Sequence, residues 1–235
     1  MNEREWAIGY LERDRLRYMN LLEVFRRGSA EMLLLREDGL LLRDRGSLAY
    51  MLTAESPQAV SAMTAHIPRG SGLCVAHQHW YLPALRARLG LGGGMTCHQA
   101  AWLGERSPES SAFPGELRPL DAAWAPRVRA LYGHDYADEA YIAGAVERGM
   151  LGAFVDGSLA GFVGTHDEGT IGLLQVLPQY RRLGVGEALY RAMIRRRLDR
   201  GGYALAHIEA GNEASLALQR KVGMALSAHL LYWMF

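Results

Sequence analysis

Val176-Leu177-Pro178-Gln179-Tyr180-Arg181-Arg182-Leu183-Gly184-Val185-Gly186-Glu187-Ala188-Leu189 is the most informative run in this chain. The residues before it, Thr170 to Leu177, are mostly apolar, as in a strand buried within a sheet. A proline ends that strand, two arginines mark a turn, and two glycines open a helix predicted over Gly186 to Arg200. Glycine lets backbone N–H groups approach an anion closely, because no Cβ intervenes. The exposed N–H groups and positive end of a helix then favour a phosphate or diphosphate. Arg181 and Arg182 add charge-assisted hydrogen bonds. By itself Gly-x-Gly is equally at home in a plain strand-to-helix turn.

The neighbouring segments give that run a setting. A strand is expected at Leu117 to Leu120 and helices at Ala123 to Leu131 and Asp138 to Arg148. A hairpin follows, Leu151 to Val155 and Leu159 to Thr165, turning at Asp156-Gly157. After the glycine-opened helix come a strand at Tyr203 to Ile208, a helix at Glu213 to Val222 and a strand at His229 to Phe235. The order is β-α-α-β-β-β-α-β-α-β. The first half reads as a helix over Glu5 to Arg27 and strands at Glu31 to Leu35, Leu40 to Arg43 and Ala49 to Ala54. A helix opened by Ser56-Pro57 follows, then a strand at Leu73 to Ala76, a helix at Trp80 to Leu89 and a strand at Met95 to Trp102. Gly104 to Gly115 is rich in Pro, Gly, Ser and charge. The expected division is therefore 1–104, a linker at 105–115, and 116–235.

At 235 residues, 49% hydrophobic and 22% charged, the chain is ordinary globular material, not a disordered or collagenous one. Lys and Arg number 26 against 25 Asp and Glu, which removes the electrostatic footprint of a nucleic-acid or membrane-surface protein. Two cysteines, no apolar signal core and no long uncharged apolar run lead to the expectation of a cytoplasmic protein.

The order Pro-x-Tyr-Arg-Arg-Leu-Gly-x-Gly after a strand resembles the acyl-CoA loop of the GCN5-related N-acetyltransferase (GNAT) superfamily. Asn212-Glu213-Ala214-Ser215-Leu216-Ala217-Leu218-Gln219-Arg220-Lys221-Val222-Gly223-Met224 resembles a second element of that family, and one helix and one strand separate the two. The resemblance implies an α+β fold with a splayed central sheet over Gly115 to Phe235. The first half would be a degenerate GNAT-like half, as in tandem and glycine N-acyltransferase-like proteins, or an accessory α/β domain.

The implied cosubstrate is acetyl-CoA or another acyl-CoA, with no metal. Its pantetheine arm would pair with Leu174, Gln175 and Val176. Its diphosphate would meet N–H groups of Arg181, Arg182, Leu183, Gly184, Val185, Gly186 and Glu187, with Asn212 and Ser215 also lining the coenzyme. A backbone N–H near Gln175 or Val176 would polarise the thioester carbonyl, and a small-molecule amine would attack directly. A carboxylate or ordered water must take its proton. Glu168 and Glu209 are the candidates, and Glu168 is preferred because an acid at the head of this strand is the base in the glycine N-acyltransferase-like branch; Thr170 is the alternative in that register. Gln219 stands where many members carry a tyrosine that reprotonates the thiolate, so that role would pass to Tyr180, Tyr232 or water. Within Tyr132-Gly133-His134-Asp135-Tyr136, His134 and Tyr136 could hold a cationic amine, or the stretch is a polar loop with buried rings.

Competing readings leave their own traces. Gly184-x-Gly186 with Glu209 downstream fits a dinucleotide fold, but its third glycine position is Leu189 and six residues, Pro178 to Leu183, precede the first glycine. Cys74, His77, His79, Cys97 and His98 do not have a common zinc spacing. Gly90 to Gly94 follows a helix and precedes a strand, so it reads as a helix cap and turn. Arg191, Arg195, Arg196, Arg197 and Arg200 read as a solvated helix face, the nearest of them within reach of a coenzyme 3′-phosphate. The functional alternatives are a non-catalytic acyl-CoA sensor and an acetyltransferase of a protein amine.

Overall fold

The N-terminal segment expected as one helix is two, α1 (Glu3–Glu12) and α2 (Met19–Arg26). The side-chain amide of Gln99 donates to the Leu16 and Arg17 carbonyls at 2.5 and 2.9 Å, so a residue 83 and 82 positions away takes the acceptors a continuous helix would use. Such a partner leaves no mark in the local pattern. Residues 2–235 are described by this structure, a computed structural model. A capping box between Asn2 and Glu5 starts α1.

The remaining elements follow the expected order. A meander of β1 (Ala30–Arg36), β2 (Gly39–Asp44) and β3 (Tyr50–Ala54) leads into α3 (Pro57–Thr64), whose first turn is capped by Ser56 Oγ accepting from the Ala59 N–H at 3.0 Å. Then come β4 (Cys74–Ala76), α4 (Leu82–Leu89) and β5 (Gly94–Ala101). Gly90 ends α4 in the left-handed region, φ 75°, so the glycine run is a helix cap as read.

The second half contributes β6 (Glu116–Pro119), α5 (Ala125–Tyr132), α6 (Glu139–Glu147), β7 (Leu151–Val155), β8 (Ser158–Thr165), β9 (Ile171–Val176), α7 (Val185–Asp199), β10 (Leu205–Glu209), α8 (Glu213–Val222) and β11 (Ala225–Met234). Asp138 caps α6 through the Tyr141 N–H, and Asp156 and Gly157, φ 47° and 75°, form the hairpin turn.

The strands form two sheets. One has seven strands in the order β1-β2-β3-β4-β11-β5-β10, the other four in the order β6-β7-β8-β9. Both halves share one element order, since α1-α2-β1-β2-β3-α3-β4-α4-β5 repeats as α5-α6-β7-β8-β9-α7-β10-α8-β11. Their last strands are exchanged: β11 lies beside β4 and β5 beside β10. Leu231, Trp233 and Met234 of β11 are buried there. The strand starts at Ala225, before the expected His229, because Ala225 and Leu226 already pair with Ala101 and Ala100; a bulge then carries Ser227 to His229 past β5.

This exchange explains why the compact units do not follow the linear division. Unit one comprises residues 1–101, 207–213 and 225–235; unit two comprises 102–206 and 214–224. In unit one the apolar faces of α3 and α4 (Val60, Met63, Leu85, Leu89), with Tyr81 just before α4, pack on Leu41, Leu52 and Met234. In unit two Val128, Ile142 and Val146 of α5 and α6 pack on Phe154, Phe162 and Leu173. Among the described residues no helix is long and apolar enough to cross a membrane.

Candidate acyl-CoA site

After β9, Pro178 opens a single 3₁₀ turn, and the backbone then enters the left-handed region twice, at Arg182 (φ 65°) and Gly184 (φ 79°). A non-glycine residue at positive φ is uncommon, and alternation of this kind turns successive N–H groups toward one concavity. Gly184 is the N-cap of α7 and has no side chain to offer. The N–H groups of Val185, Gly186 and Glu187 belong to the first turn, where a helix supplies no acceptor. A Cβ on Gly184 would meet nothing within 4 Å, so its backbone conformation, not crowding, calls for glycine. Gly186 instead sits 3.5 and 3.9 Å, measured from an added Cβ, from Val176 and Leu218.

Glu187 could fill this helix end with its own carboxylate. It does not, because Lys221 Nζ and Arg191 Nε hold that carboxylate at 2.7 and 3.0 Å. The Lys221 hydrogen bond, reinforced by Arg191, keeps Glu187 below the usual carboxylate range and neutralises a charge that would repel a phosphate. The basic face of α7 is likewise less free than it reads in sequence. Arg191 also donates to the Lys221 carbonyl, Arg195 to that of Pro108, Arg197 to that of Tyr203 and Arg200 to that of Arg148. Arg181 and Arg182 stay exposed at the mouth of the loop.

β9 ends its sheet, so one row of its backbone groups has no strand partner. The Leu177 N–H bonds to Ala160 O at 2.9 Å on β8. By alternation the backbone of Gln175, opposite Phe162, also faces β8, whereas that of Val176 faces the open edge. Arg181 Nε reaches the Val176 carbonyl at 3.4 Å on that side. Of the two residues expected to supply the carbonyl-polarising N–H, Gln175 and Val176, it is Val176 whose backbone lies on the open edge. One residue further along, β9 carries an extra residue: Phe162 to Gly164 on β8 spans Gln175 to Gly172, and Leu173 takes φ 49°. Such a bulge bends a strand and re-aims its side chains.

Glu168 lies in the β8–β9 turn, 9% exposed, and accepts from Thr170 Oγ1 at 2.6 Å. The two residues that competed for one role in the sequence reading are therefore hydrogen-bonded neighbours. Tyr136 stands near them and donates to or accepts from Tyr132 Oη at 2.7 Å; the His134 ring lies 5.6 Å from that of Tyr136. Burial first, then the Glu168 charge, push the Tyr136 phenol up, although the Tyr132 hydrogen bond opposes this. Two members of the cluster escaped the sequence reading. Tyr141 of α6 hydrogen-bonds His166 Nδ1 at 2.5 Å, and burial together with the Glu168 and Asp167 charges raises its phenol strongly. They lie 25 positions apart, and the one sequence clue was that His166 heads the turn containing Glu168.

The other expected site residues scatter. Glu209 is exposed at the end of β10, and it and Asn212 fall in unit one, while Ser215 on α8 falls in unit two. The Glu209 carbonyl accepts from the Asn212 N–H at 3.0 Å. Gln219 is 1% exposed on the inner side of α8, its carboxamide facing the buried Tyr190 phenol, so it is a packing residue. Cys74 and Cys97 are buried free thiols; burial pushes Cys74 up to about 12. His77 instead binds Leu52 O and Asn20 Oδ1. Among the described residues no three His, Cys, Asp or Glu side chains converge as metal ligands.

The described residues of the first half differ at the corresponding place. Its equivalent strands, β3 and β4, are paired in parallel from Tyr50–Cys74 to Leu52–Ala76, and Ser56 already caps the helix between them. A coenzyme arm would find no open edge on β3, which has β2 on one side and β4 on the other.

Residues 149–234 match the family described as FR47-like protein. No curated protein matches the chain. Among solved structures, a Drosophila protein is similar with a TM-score of 0.71 at 18% identity, over 94% of this chain and 89% of its own. A GCN5-related N-acetyltransferase from Kribbella flavida gives 0.57 at 14% identity over 94% of each chain. A GCN5-related N-acetyltransferase-like protein from Streptococcus suis gives 0.56 at 14%, over 97% of this chain and 99% of its own. The chain has the GNAT fold, and the similarity runs through both halves.

Proposed function

We propose that this GNAT-fold chain is an N-acyltransferase that moves an acetyl or other short acyl group from an acyl-CoA to the primary amine of a small molecule or amino acid. The observation that carries the reading is the start of α7. Its first-turn N–H groups lack a helical acceptor, the loop before it twice turns left-handed, and the one carboxylate at hand is bound elsewhere. This end can accept a diphosphate without displacing any internal cap. The open edge of β9 can take an extended, amide-bearing arm as an added strand. The Val176 N–H on that edge can donate to an oxygen whose charge grows during acyl transfer. The two buried free thiols fit a cytoplasmic setting.

Binding and turnover are tested separately. CoA at about one hundred times its Kd should stabilise the protein by about 2.7 kcal/mol, read as a rise in Tm. Thiol release from acetyl-CoA with a panel of amines should follow. No Tm shift with any CoA thioester would remove the reading; a shift with no thiol release would leave an acyl-CoA sensor. With an active amine in hand, Glu168→Gln should lower kcat and leave CoA affinity nearly unchanged, because Glu168 sits in the tyrosine cluster and not in the loop. An unaltered kcat would take Glu168 out of the mechanism.

A further inference from the structure

The proton that the acceptor amine must lose needs a destination, and the residue best placed for it is not a carboxylate. Glu168 is nine-tenths buried and already accepts from Thr170. Asp167 is tied to Arg148 at 2.7 Å. His166 is different: one ring nitrogen is held and the other lies against β9. Its Nδ1 meets Tyr141 Oη at 2.5 Å. On the other side, a Cβ added to Gly172 would come within 2.1 Å of Nε2, 2.5 Å of Cδ2 and 3.2 Å of Cε1. The imidazole thus lies across the Gly172 Cα, and only glycine leaves room for it. Gly172 is the residue just before the bulge at Leu173 and four positions, about 13 Å of strand, from Val176.

We propose that His166, positioned by Tyr141, accepts the proton of the attacking amine at Nε2, with Glu168 acting behind the pair and not on the substrate. The proposal rests on the acyl-transfer reading above. A neutral imidazole carries one proton; in the tautomer that holds it on Nδ1, donated to the Tyr141 oxygen, Nε2 is the acceptor. Burial and the nearby carboxylates keep Tyr141 a phenol, so it can receive that hydrogen bond without ionising. In the reaction the amine nitrogen forms the new C–N bond, the C–S bond breaks, and the sulfur keeps the electron pair as CoA thiolate. The proton lost from nitrogen passes to Nε2, directly or through one water, and leaves later to the thiolate or solvent. Tyr141 contacts the imidazole directly, the Tyr136 ring lies 6.5 Å from it, and Glu168, Asp167 and Arg148 are the charged groups around Tyr141.

The test uses the whole chain, an amine found active in the panel, and three variants: His166→Asn, His166→Ala and Tyr141→Phe. Calorimetry with CoA should give Kd values within about twofold of wild type, showing that the loop and fold survive. Thiol release by either His166 variant should fall about 100-fold or more. The acid limb of the kcat/KM profile should vanish with histidine removed and move with Tyr141→Phe. Added imidazole should restore part of the His166→Ala rate, which a merely structural histidine would not allow. Wild-type turnover in His166→Asn would overturn the proposal, as would lost turnover with the acid limb intact and no rescue by imidazole. An active wild type beside an equally active His166→Asn removes only this assignment; a wild type that releases no thiol with any amine removes the acyl-transfer reading and this proposal with it.

Discussion

Gly184→Val is expected to weaken CoA binding at least tenfold by calorimetry, whereas Gly184→Asn should bind close to wild type. The contrast follows from backbone conformation alone. Gly184 holds φ 79° with open space where a side chain would project, so neither variant clashes. The left-handed region costs an L-residue about 1–2 kcal/mol, and a β-branched side chain is the least tolerant, while asparagine visits it readily. Relieving that strain would rotate the Gly184–Val185 peptide and spoil the convergence of the N–H groups that follow. A 1.4 kcal/mol loss is tenfold in Kd, and misaligned donors add to it. The same loop already tolerates Arg182 at φ 65°, so the chain holds some strain here before glycine is lost. If Gly184→Val binds CoA as well as wild type, the α7 N-terminus is not the diphosphate cradle.

Phe162→Ala should be the most damaging single truncation in unit two, at about 3–5 kcal/mol. For a chain of this length that is roughly 2–4 °C of Tm per kcal/mol. Phe162 is fully buried on β8, the inner neighbour of the edge strand β9, and its ring lies 6.4 Å from that of Tyr132. Its partner across the sheet is Gln175, immediately beside the bulge. Losing the ring would leave a cavity under α5 and loosen the register that holds Leu173 at positive φ. CoA affinity should therefore fall along with Tm, but by less than in Gly184→Val, since the loop itself is untouched. A Tm within 2 °C of wild type would show that this core closes over the gap and that Phe162 does not hold β9.

Much of this was legible before any tertiary structure. Local signals are strong where one residue type answers one backbone need. Asp156-Gly157 meets a hairpin turn, Ser56 and Asp138 cap helices, Gly90 ends one, and Gly184 opens another. Apolar periodicity over the second half was enough for the element order and, with the Arg-x-x-Gly-x-Gly spacing, for the GNAT resemblance. These are properties of segments shorter than about fifteen residues, and the chain states them wherever it is cut.

Other features depend on residues far apart in sequence. The exchange of β5 and β11 is a choice of partner, and an alternating strand carries no label for its neighbour. The break between α1 and α2 is made by Gln99. The fate of Gln219, buried against Tyr190 instead of lining a site, depends on which face of α8 turns inward. The meeting of Tyr141 with His166 needs α6 laid beside the β8–β9 turn. Composition and local pattern determined the glycine-bearing turn that opens α7 and the strand that precedes it. Packing alone determined which side chains gather beside the strand it follows, because hydrogen bonds and buried contacts form between surfaces that exist only once the chain has folded.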